Sequence, residues 1–386
     1  MANRRSRLLA FGMAGFAFLF LLWLPRGAGT AAPDEPFDVR DVTFESAGVS
    51  LSGRLFAPHG TSHGAAHGAA HGASSGAGSN YPVAVYVTGS GNGDVIEDDY
   101  PRDLARVFAA SGIGLFVYNK RGVGKSQGSY SNSDFAERAQ DTLAAVRTVR
   151  NLPGVDSRHV GLWGISQGGW VIGMATAESS DVSFVILVSP AGVNPKRQMD
   201  FYLQNEWRRV GMNDEEIKKA AALHDVLFEY YAHGKNYQRA QAAVDEAKKA
   251  GWLEKYRQAN FRQEVPQTGR LISPAELAAL NQKDPGELDF YHAPSIVADY
   301  HPDYLRLTMP TLVIYGGRDI YVPVADSMAA FKRAFAENHN QRAEFKVFEE
   351  GDHGMQAPGT ASFVAGYAEF MRDWIWKAMQ KGKDGR

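Results

Sequence analysis

Four serines of this chain lie in the pattern G-x-S-x-G, which can mark a nucleophilic serine on a sharp turn between a strand and a helix. They are Ser62, Ser74, Ser126 and Ser166. Because the chain has 40 glycines in 386 residues, chance matches are expected. Ser62 and Ser74 fall in a stretch rich in Gly, Ala, Ser and His. Such a stretch cannot supply the preorganised setting that catalysis needs, so the choice lies between Ser126 and Ser166.

The sequence around Ser166 favours it over Ser126. The apolar strand VGLWGI runs directly into Ser166, and the apolar helix GWVIGMATA follows it. Glycines at 164 and 168 leave room for a strained turn, which simple capping of the helix by Ser166 would not require. Ser126 is instead followed by eight polar or small residues before a helix begins. Its GKS also fails as a phosphate-binding loop, because that motif needs a glycine where Asn119 stands, so we interpret this stretch as a connecting loop.

A serine hydroxyl needs a base to take its proton, and the base needs a carboxylate to orient it. Of the 11 histidines, His353 in EEGDHGM follows the last apolar strand and so leaves the sheet at the same edge as Ser166. The stretch TLVIYGGRD ends another strand there and supplies Asp319. Asp326 is an alternative candidate for this carboxylate, but it lies in the first turn of the following helix, where an acid has a structural role. Asp352 is a second rival, but adjacent side chains usually diverge, so we predict a triad of Ser166, Asp319 and His353.

These residues require a sheet whose strands end at one edge. Residues 38–57 read as a hairpin, and after residue 80 buried apolar strands alternate with helices, which predicts an α/β fold with a mostly parallel sheet and helices on both faces. The alternation stops near residue 195 and resumes near 310. We therefore predict a core of residues 38–194 and 310–386, carrying a low-complexity loop at 59–80, with a helical cap inserted at 195–309. Such an insertion is expected to form a lid over the carboxyl edge of the sheet.

The N-terminus has the layout of an export signal. Three arginines precede an apolar run at residues 8–24, and a stretch of small residues follows. The run is slightly long for a cleaved signal and short for a membrane span, so cleavage after Ala32 and a retained anchor within residues 1–32 both stay open. In either case we expect the rest of the chain outside the cytoplasm, periplasmic, secreted or anchored to the membrane.

Charge and composition exclude several classes of function. The formal net charge of -2 gives no indication of a nucleic-acid partner. The absence of cysteine rules out disulfides, thiolate metal sites and a cysteine nucleophile. Histidines at 59, 63, 67 and 71 are spaced for one helix face, but each is followed by glycine, which disfavours a helix. We interpret them as a low-complexity repeat and predict neither a metal nor a cofactor.

The chain resembles the α/β-hydrolase family, and more closely the bacterial serine esterases and serine aminopeptidase-like hydrolases. The motifs that carry the resemblance, in chain order, are VTGSGNGD, NKRGVGKSQG, GISQGG, YGGRDIYVP and GDHGM. The resemblance implies an acyl-enzyme mechanism without a cofactor. The oxyanion formed in that mechanism needs two N–H donors. We expect one from Gln167, directly after the nucleophile. The other is assigned to Ser90 by resemblance, although the sequence has ThrGlySer where many relatives have HisGly.

The substrate is less well defined than the chemistry. The insertion contains aromatic residues that could form an apolar lid or simply pack its helices: Tyr202, Trp207, Tyr230, Tyr231, Trp252, Tyr256 and Tyr291. No acidic pair is placed to bind a substrate ammonium group, so a small-molecule carboxylic ester is favoured over a peptide, and a thioester stays open. A non-catalytic binding protein of the same fold is the alternative from another class, which an intact triad disfavours.

Overall fold

A computed structural model of the protein describes residues 35–59, 80–131, 133–259, 264–283 and 289–380. Within these residues the chain divides into an inserted helical unit, Val193–Ala298, and a core unit formed by the segments on either side of it. The predicted signal or anchor, Ser62, Ser74 and the histidines at 63, 67 and 71 lie outside the described residues. In the part of the chain that the structure describes, no helix is long and apolar enough to cross a membrane.

The core unit is built on one eight-stranded sheet with the order β1-β2-β4-β3-β5-β6-β7-β8. Its strands are β1 (Phe37–Ser46), β2 (Val49–Pro58), β3 (Tyr81–Val87), β4 (Gly114–Tyr118), β5 (Val155–Ile165), β6 (Val185–Val188), β7 (Thr311–Gly316) and β8 (Ala343–Phe348). The pairs β1–β2 and β2–β4 are antiparallel, and all the other pairs are parallel. The β1–β2 turn lies at Ala47 and Gly48, whose φ angles are 48° and 76°.

Helices connect the strands and fill the insertion. In chain order they are α1 (Asp99–Ala109), α2 (Phe135–Arg150), α3 (Gly168–Glu178), α4 (Pro195–Arg209), α5 (Asp214–His233), α6 (Tyr237–Lys249), α7 (Leu253–Ala259), α8 (Pro274–Lys283), α9 (Asp289–His292), α10 (His301–Tyr304), α11 (Val324–Glu337) and α12 (Tyr367–Gln380). The sheet and its connecting helices confirm the predicted fold class, an α/β fold with a mostly parallel sheet.

The central strands are buried along their whole length. Every residue of β3, β4, β6 and β7 is buried, as continuous apolar runs in a parallel sheet require. On β5, Trp163 stacks on Tyr86 with 4.7 Å between ring centroids, and its indole N–H donates to the Met371 sulfur at 3.1 Å. These contacts fix the strand that carries Ser166 at its end.

The insertion has a hydrophobic core of its own, which accounts for most of its aromatic residues. Trp207 and Tyr256 are 1% and 0% exposed and stack with 5.4 Å between ring centroids. Tyr230, Tyr231 and Trp252 are buried in the same cluster. Because these rings pack the helices of the unit, their presence in the sequence does not by itself identify an apolar acyl group.

The insertion ends earlier than the sequence predicts. The sequence pattern predicts an end at residue 309, whereas the structure assigns residues 299–309 to the core unit. The reason is Tyr304 of α10, which is 1% exposed, donates its hydroxyl to the Ala191 carbonyl at 2.9 Å and contacts Phe331 with 4.5 Å between ring centroids. The short helix lacks the apolar period of a strand, so sequence patterning grouped it with the helical insertion.

Candidate active site

Ser166 lies on a sharp turn between β5 and α3. Its φ of 53° is left-handed, a conformation that costs a non-glycine residue about 1 kcal/mol or more. Hydrogen bonds hold the turn on both sides: Ser166 N donates to Val188 O at 2.9 Å, and Gly169 N donates to Ser166 O at 2.9 Å. The side chain is therefore presented from a strained and fixed backbone, the setting expected of a nucleophile.

Three glycines allow this turn to form against the sheet. A Cβ on Gly164 would lie 2.5 Å from Ile172 Cδ1, and one on Gly169 would lie 2.8 Å from Pro190 Cβ. A Cβ on Gly168 would collide with the carbonyl oxygen of Val87 at the end of β3. At Gly168 and Gly169 the obstacles are a backbone carbonyl and a proline ring, so a larger residue there would push α3 away from the strand ends. These two positions therefore set how closely the helix N-terminus approaches Ser166.

Asp319 and His353 are joined by a hydrogen bond. His353 Nδ1 lies 2.8 Å from Asp319 Oδ2, and the Asp319 carboxylate is fully buried. The other carboxylate oxygen, Oδ1, accepts from Tyr321 N at 2.8 Å and from Val322 N at 3.0 Å. The acid is thus held by three donors and can orient the imidazole.

The register of the sheet explains why these residues leave it at one edge. Ile165 of β5 pairs with Val188 of β6, Val188 pairs with Ile314 of β7, and Gly316 of β7 pairs with Phe348 of β8. Four neighbouring parallel strands therefore end in one row. Ser166, Asp319 and His353 follow the ends of β5, β7 and β8 respectively, so all three project from that row.

Ser189, which the sequence analysis did not single out, connects the two halves of this arrangement. It follows β6, is fully buried and has a left-handed φ of 45°. Its N–H donates to Ile314 O at 2.8 Å, and its hydroxyl donates to the His353 carbonyl at 2.8 Å. The neighbouring Val188 carbonyl accepts from Ser166 N. The end of β6 thus contacts both the Ser166 turn and the His353 loop.

The two predicted oxyanion donors border Ser166. Gln167 directly precedes α3, where the first N–H groups of a helix lack partners within it. Gly89 approaches the turn so closely that a Cβ there would lie 3.2 Å from Ile165 O and 3.4 Å from Ser166 Cβ. Ser90 is the next residue along. Lys120, which the sequence pattern does not single out, contacts this loop through its ammonium group.

The rejected candidates have structural roles. Ser126 is buried, donates its hydroxyl to Asn119 O at 3.0 Å and accepts from Ser52 N at 2.9 Å, which ties its loop to β2. Asp352 braces the His353 loop through Oδ1, which accepts from Gly354 N at 2.9 Å. Asp326 lies in the first turn of α11. Among the described residues, no three or more His, Asp or Glu side chains cluster as a metal site would require.

Comparison with known proteins places the chain in a family. The family model of the alpha/beta hydrolase fold matches residues 88–360, which contain Ser90, Ser166, Asp319 and His353. The chain therefore belongs to the α/β-hydrolase family, and the resemblance drawn from its motifs is confirmed at that level.

Curated relatives match only part of the chain. A polyketide transferase, ClaH of Penicillium crustosum, is 31% identical over 144 residues, which is 37% of this chain and 41% of the relative. A thiohydrolase, ApmlB of Arthrinium phaeospermum, is 34% identical over 92 residues, which is 24% of this chain and 30% of the relative. The chain thus spans less than half the length of these relatives.

Solved structures share the fold at low identity. The α/β hydrolase GrgF from Penicillium sp. sh18 has a TM-score of 0.52 and 18% identity, covering 89% of this chain and 99% of that one. The Pyrococcus furiosus esterase Pf2001 has a TM-score of 0.50 and 15% identity, covering 92% of this chain and 95% of that one. At these identities the likeness establishes the fold alone.

Proposed function

We propose that the protein is a serine hydrolase that cleaves carboxylic esters through an acyl-enzyme on Ser166. The observation that carries the proposal is the buried 2.8 Å hydrogen bond between Asp319 and His353, which lies at the sheet edge where Ser166 stands on its strained turn. Acyl transfer requires a base that is oriented by a carboxylate, together with a nucleophilic serine, which a strand-to-helix turn can present.

Each residue has one task in this mechanism. His353 takes the proton of Ser166 at Nε2 while the serine oxygen attacks the substrate carbonyl, and Asp319 steadies the resulting imidazolium. The backbone N–H groups of Gln167 and Ser90 receive the developing oxyanion. His353 then returns the proton to the departing alcohol, and a water molecule repeats the sequence to release the acid.

A fluorophosphonate probe tests this assignment, because it reacts with activated serines. We expect the purified protein to be labelled, Ser166→Ala to be unlabelled, and Ser126→Ala to be labelled like the parent, with thermal melting showing that both variants are folded. Ser126 is the matched control because it occupies the rival G-x-S-x-G match on a loop of the same unit. Labelling that persists in Ser166→Ala would refute the proposal.

Thioesters are the second candidate substrate class, because two of the curated relatives are named thiohydrolases. The same triad can attack either carbonyl, so the distinction rests on substrate preference. Nitrophenyl esters of increasing acyl length should be compared with N-acetylcysteamine thioesters of the same acyl groups. A kcat/KM more than tenfold higher for the thioesters, after correction for their uncatalysed rates, would replace the ester proposal by the thioester one.

We also propose that the protein acts outside the cytoplasm, on the basis of the N-terminal arginines and apolar run. N-terminal sequencing of the full chain after expression in a Gram-negative host distinguishes a cleaved export signal from a retained membrane anchor. Cleavage after Ala32 predicts proline in the first sequencing cycle, because residue 33 is Pro33. An intact N-terminus in the membrane fraction indicates an anchor, and an intact chain in the cytosol contradicts export.

A further inference from the structure

Lys120 is a buried cation whose ammonium group contacts the loop expected to bind the oxyanion. It lies just beyond β4 in the stretch NKRGVGKSQG and is 8% exposed. Its Nζ donates to Gly89 O, to Gly91 O at 3.0 Å and to the Gln167 side-chain oxygen at 3.5 Å. An ammonium group has three donors, so these acceptors engage all of them, the third through a long bond.

The bond to Gly89 bears directly on the N–H of Ser90. The Gly89 carbonyl and the Ser90 N–H belong to the same peptide group, which is planar and trans, so they point in opposite directions. A cation that fixes the carbonyl therefore fixes the direction of the N–H. It also polarises the peptide, which strengthens the N–H as a donor.

The bond to Gln167 reaches the other expected donor. The Gln167 side chain accepts from Lys120 and also from Arg138 at 2.5 Å, while its backbone N–H directly follows Ser166. Lys120 thus contacts both the loop after β3 and the residue after the nucleophile, the two places from which the oxyanion donors come.

The acceptors of the Lys120 ammonium group are neutral oxygens, so an ion pair with them does not offset the burial of its charge. Asp141, which lines a small cavity with Lys120, is engaged by Arg121 at 2.8 and 2.9 Å. The pKa of Lys120 is held well below its usual range, first by burial and then by the neighbouring Arg138. Burial and Arg138 work against the charge, but the three oxygen acceptors around Nζ match the three donors of an ammonium group, one more than a neutral amine has.

We propose that Lys120 is a positioning residue that, as a cation, orients and polarises the Ser90 N–H toward the oxyanion and, through the Gln167 side chain, holds in place the residue that supplies the other N–H. The proposal rests on the serine-hydrolase function proposed above. Lys120 acts through the Gly89–Ser90 peptide group and through the Gln167 side chain, and not on the reacting atoms.

Lys120→Met removes the charge and the donors while nearly keeping the shape. Losing one oxyanion donor outright costs about 10²–10³ in kcat, so misaligning donors that remain present should lower kcat about 10- to 100-fold, with KM within about threefold. The matched control is Lys125→Met, an exposed lysine on the same loop, which should keep parental kcat and KM. Lys120→Arg, which keeps the cation, should recover part of the loss.

Two further readouts separate this role from simple loss of packing. The parent should lose kcat as the pH rises through the lowered pKa of Lys120, and Lys120→Met should lack that limb. The groups near the ammonium that could modify this profile are Arg138 and Asp141 of α2 and the Tyr130 hydroxyl, whose ring lies 5.5 Å from Nζ. If Lys120→Met does not fold, Lys120→Arg and Lys120→Gln compare a charged with a neutral donor at the same position.

Failure of the Lys120 proposal and failure of the hydrolase function give different results. A folded Lys120→Met within twofold of the parental kcat, or a Gln variant as active as the Arg variant, overturns the Lys120 proposal while Ser166→Ala remains inactive. Retention of activity in Ser166→Ala instead refutes the underlying hydrolase function.

Discussion

Replacing Asp319 by asparagine should leave the site intact but reverse the hydrogen bond to His353. Asp319 Oδ1 accepts from Tyr321 N and Val322 N, whereas Oδ2 accepts from His353 Nδ1. In Asp319→Asn the amide oxygen will stay with the two backbone donors, because the opposite flip would set an NH₂ group against two N–H groups. Each unsatisfied buried donor costs about 1–3 kcal/mol, so the opposite flip is disfavoured by about 2–6 kcal/mol.

The amide NH₂ group must then face His353 Nδ1. The imidazole can accept that bond only with its proton on Nε2, the nitrogen that must take the proton of Ser166. The same substitution in the serine-protease triad lowers kcat about 10⁴-fold through this tautomer, and we expect a similar loss here, equivalent to about 5.4 kcal/mol at 1.36 kcal/mol per tenfold.

The assay is kcat on a nitrophenyl ester together with thermal melting. Asp352→Asn is the matched control, because Asp352 adjoins His353 and its Oδ1, which an asparagine retains, accepts from Gly354 N and Gln356 N. We expect the control to keep kcat within about threefold. A folded Asp319→Asn that retains more than a tenth of parental kcat would refute this reasoning.

Three further predictions concern the supports of the site and the insertion. Gly168→Ala should lower the free energy of unfolding by about 1–3 kcal/mol and slow fluorophosphonate labelling, because the new methyl group collides with the end of β3; denaturant titration measures the first effect. Ser189→Ala should lower stability by about 1 kcal/mol and reduce kcat more than it changes KM, because the His353 loop loses its hydroxyl donor; the same titration and steady-state kinetics check it. In the insertion, burial raises the pKa of Glu264, but its partners, His224 foremost, outweigh burial and lower that pKa to about 2. Because the effect depends on the charge of His224, whose pKa, despite burial, is raised from 6.5 by Glu264, the stabilisation is complete between pH 4.5 and 6.5 and is lost as the pH falls toward 2. Glu264→Gln should remove this acid sensitivity and lower the free energy of unfolding by about 3–5 kcal/mol near neutral pH. Denaturant titrations across pH test this, and a parent that loses no stability below pH 4.5 would contradict it.

The sequence was sufficient for the parts of the site that depend on local order. A strand before Ser166, a helix after it, and acidic and basic residues after later strands are all readable from hydrophobic patterning. Parallel strands then bring such residues to one edge, since their carboxyl ends coincide. The Asp319–His353 hydrogen bond matches that expectation.

The residues that support the site were not predictable in the same way. Ser189 follows a strand like many small polar residues, and its left-handed φ of 45° depends on the bonds that it makes to β7 and the His353 loop. Lys120 reaches Gly89 because β3 lies between β4 and β5 in the sheet, which chain order does not disclose. In the insertion, sequence alone could not distinguish aromatic rings that pack helices from rings that line a binding surface.

The central claim is that Ser166 carries the acyl group, and trapping that intermediate tests it most directly. The protein is mixed with excess ester, quenched in acid within milliseconds to seconds, digested and analysed by mass spectrometry. We predict that the acyl mass is found on Ser166, in the peptide that contains LWGISQGGW, and that it is absent from Ser166→Ala. Steady ester hydrolysis by a Ser166→Ala protein, or an acyl group on another residue, would contradict the account.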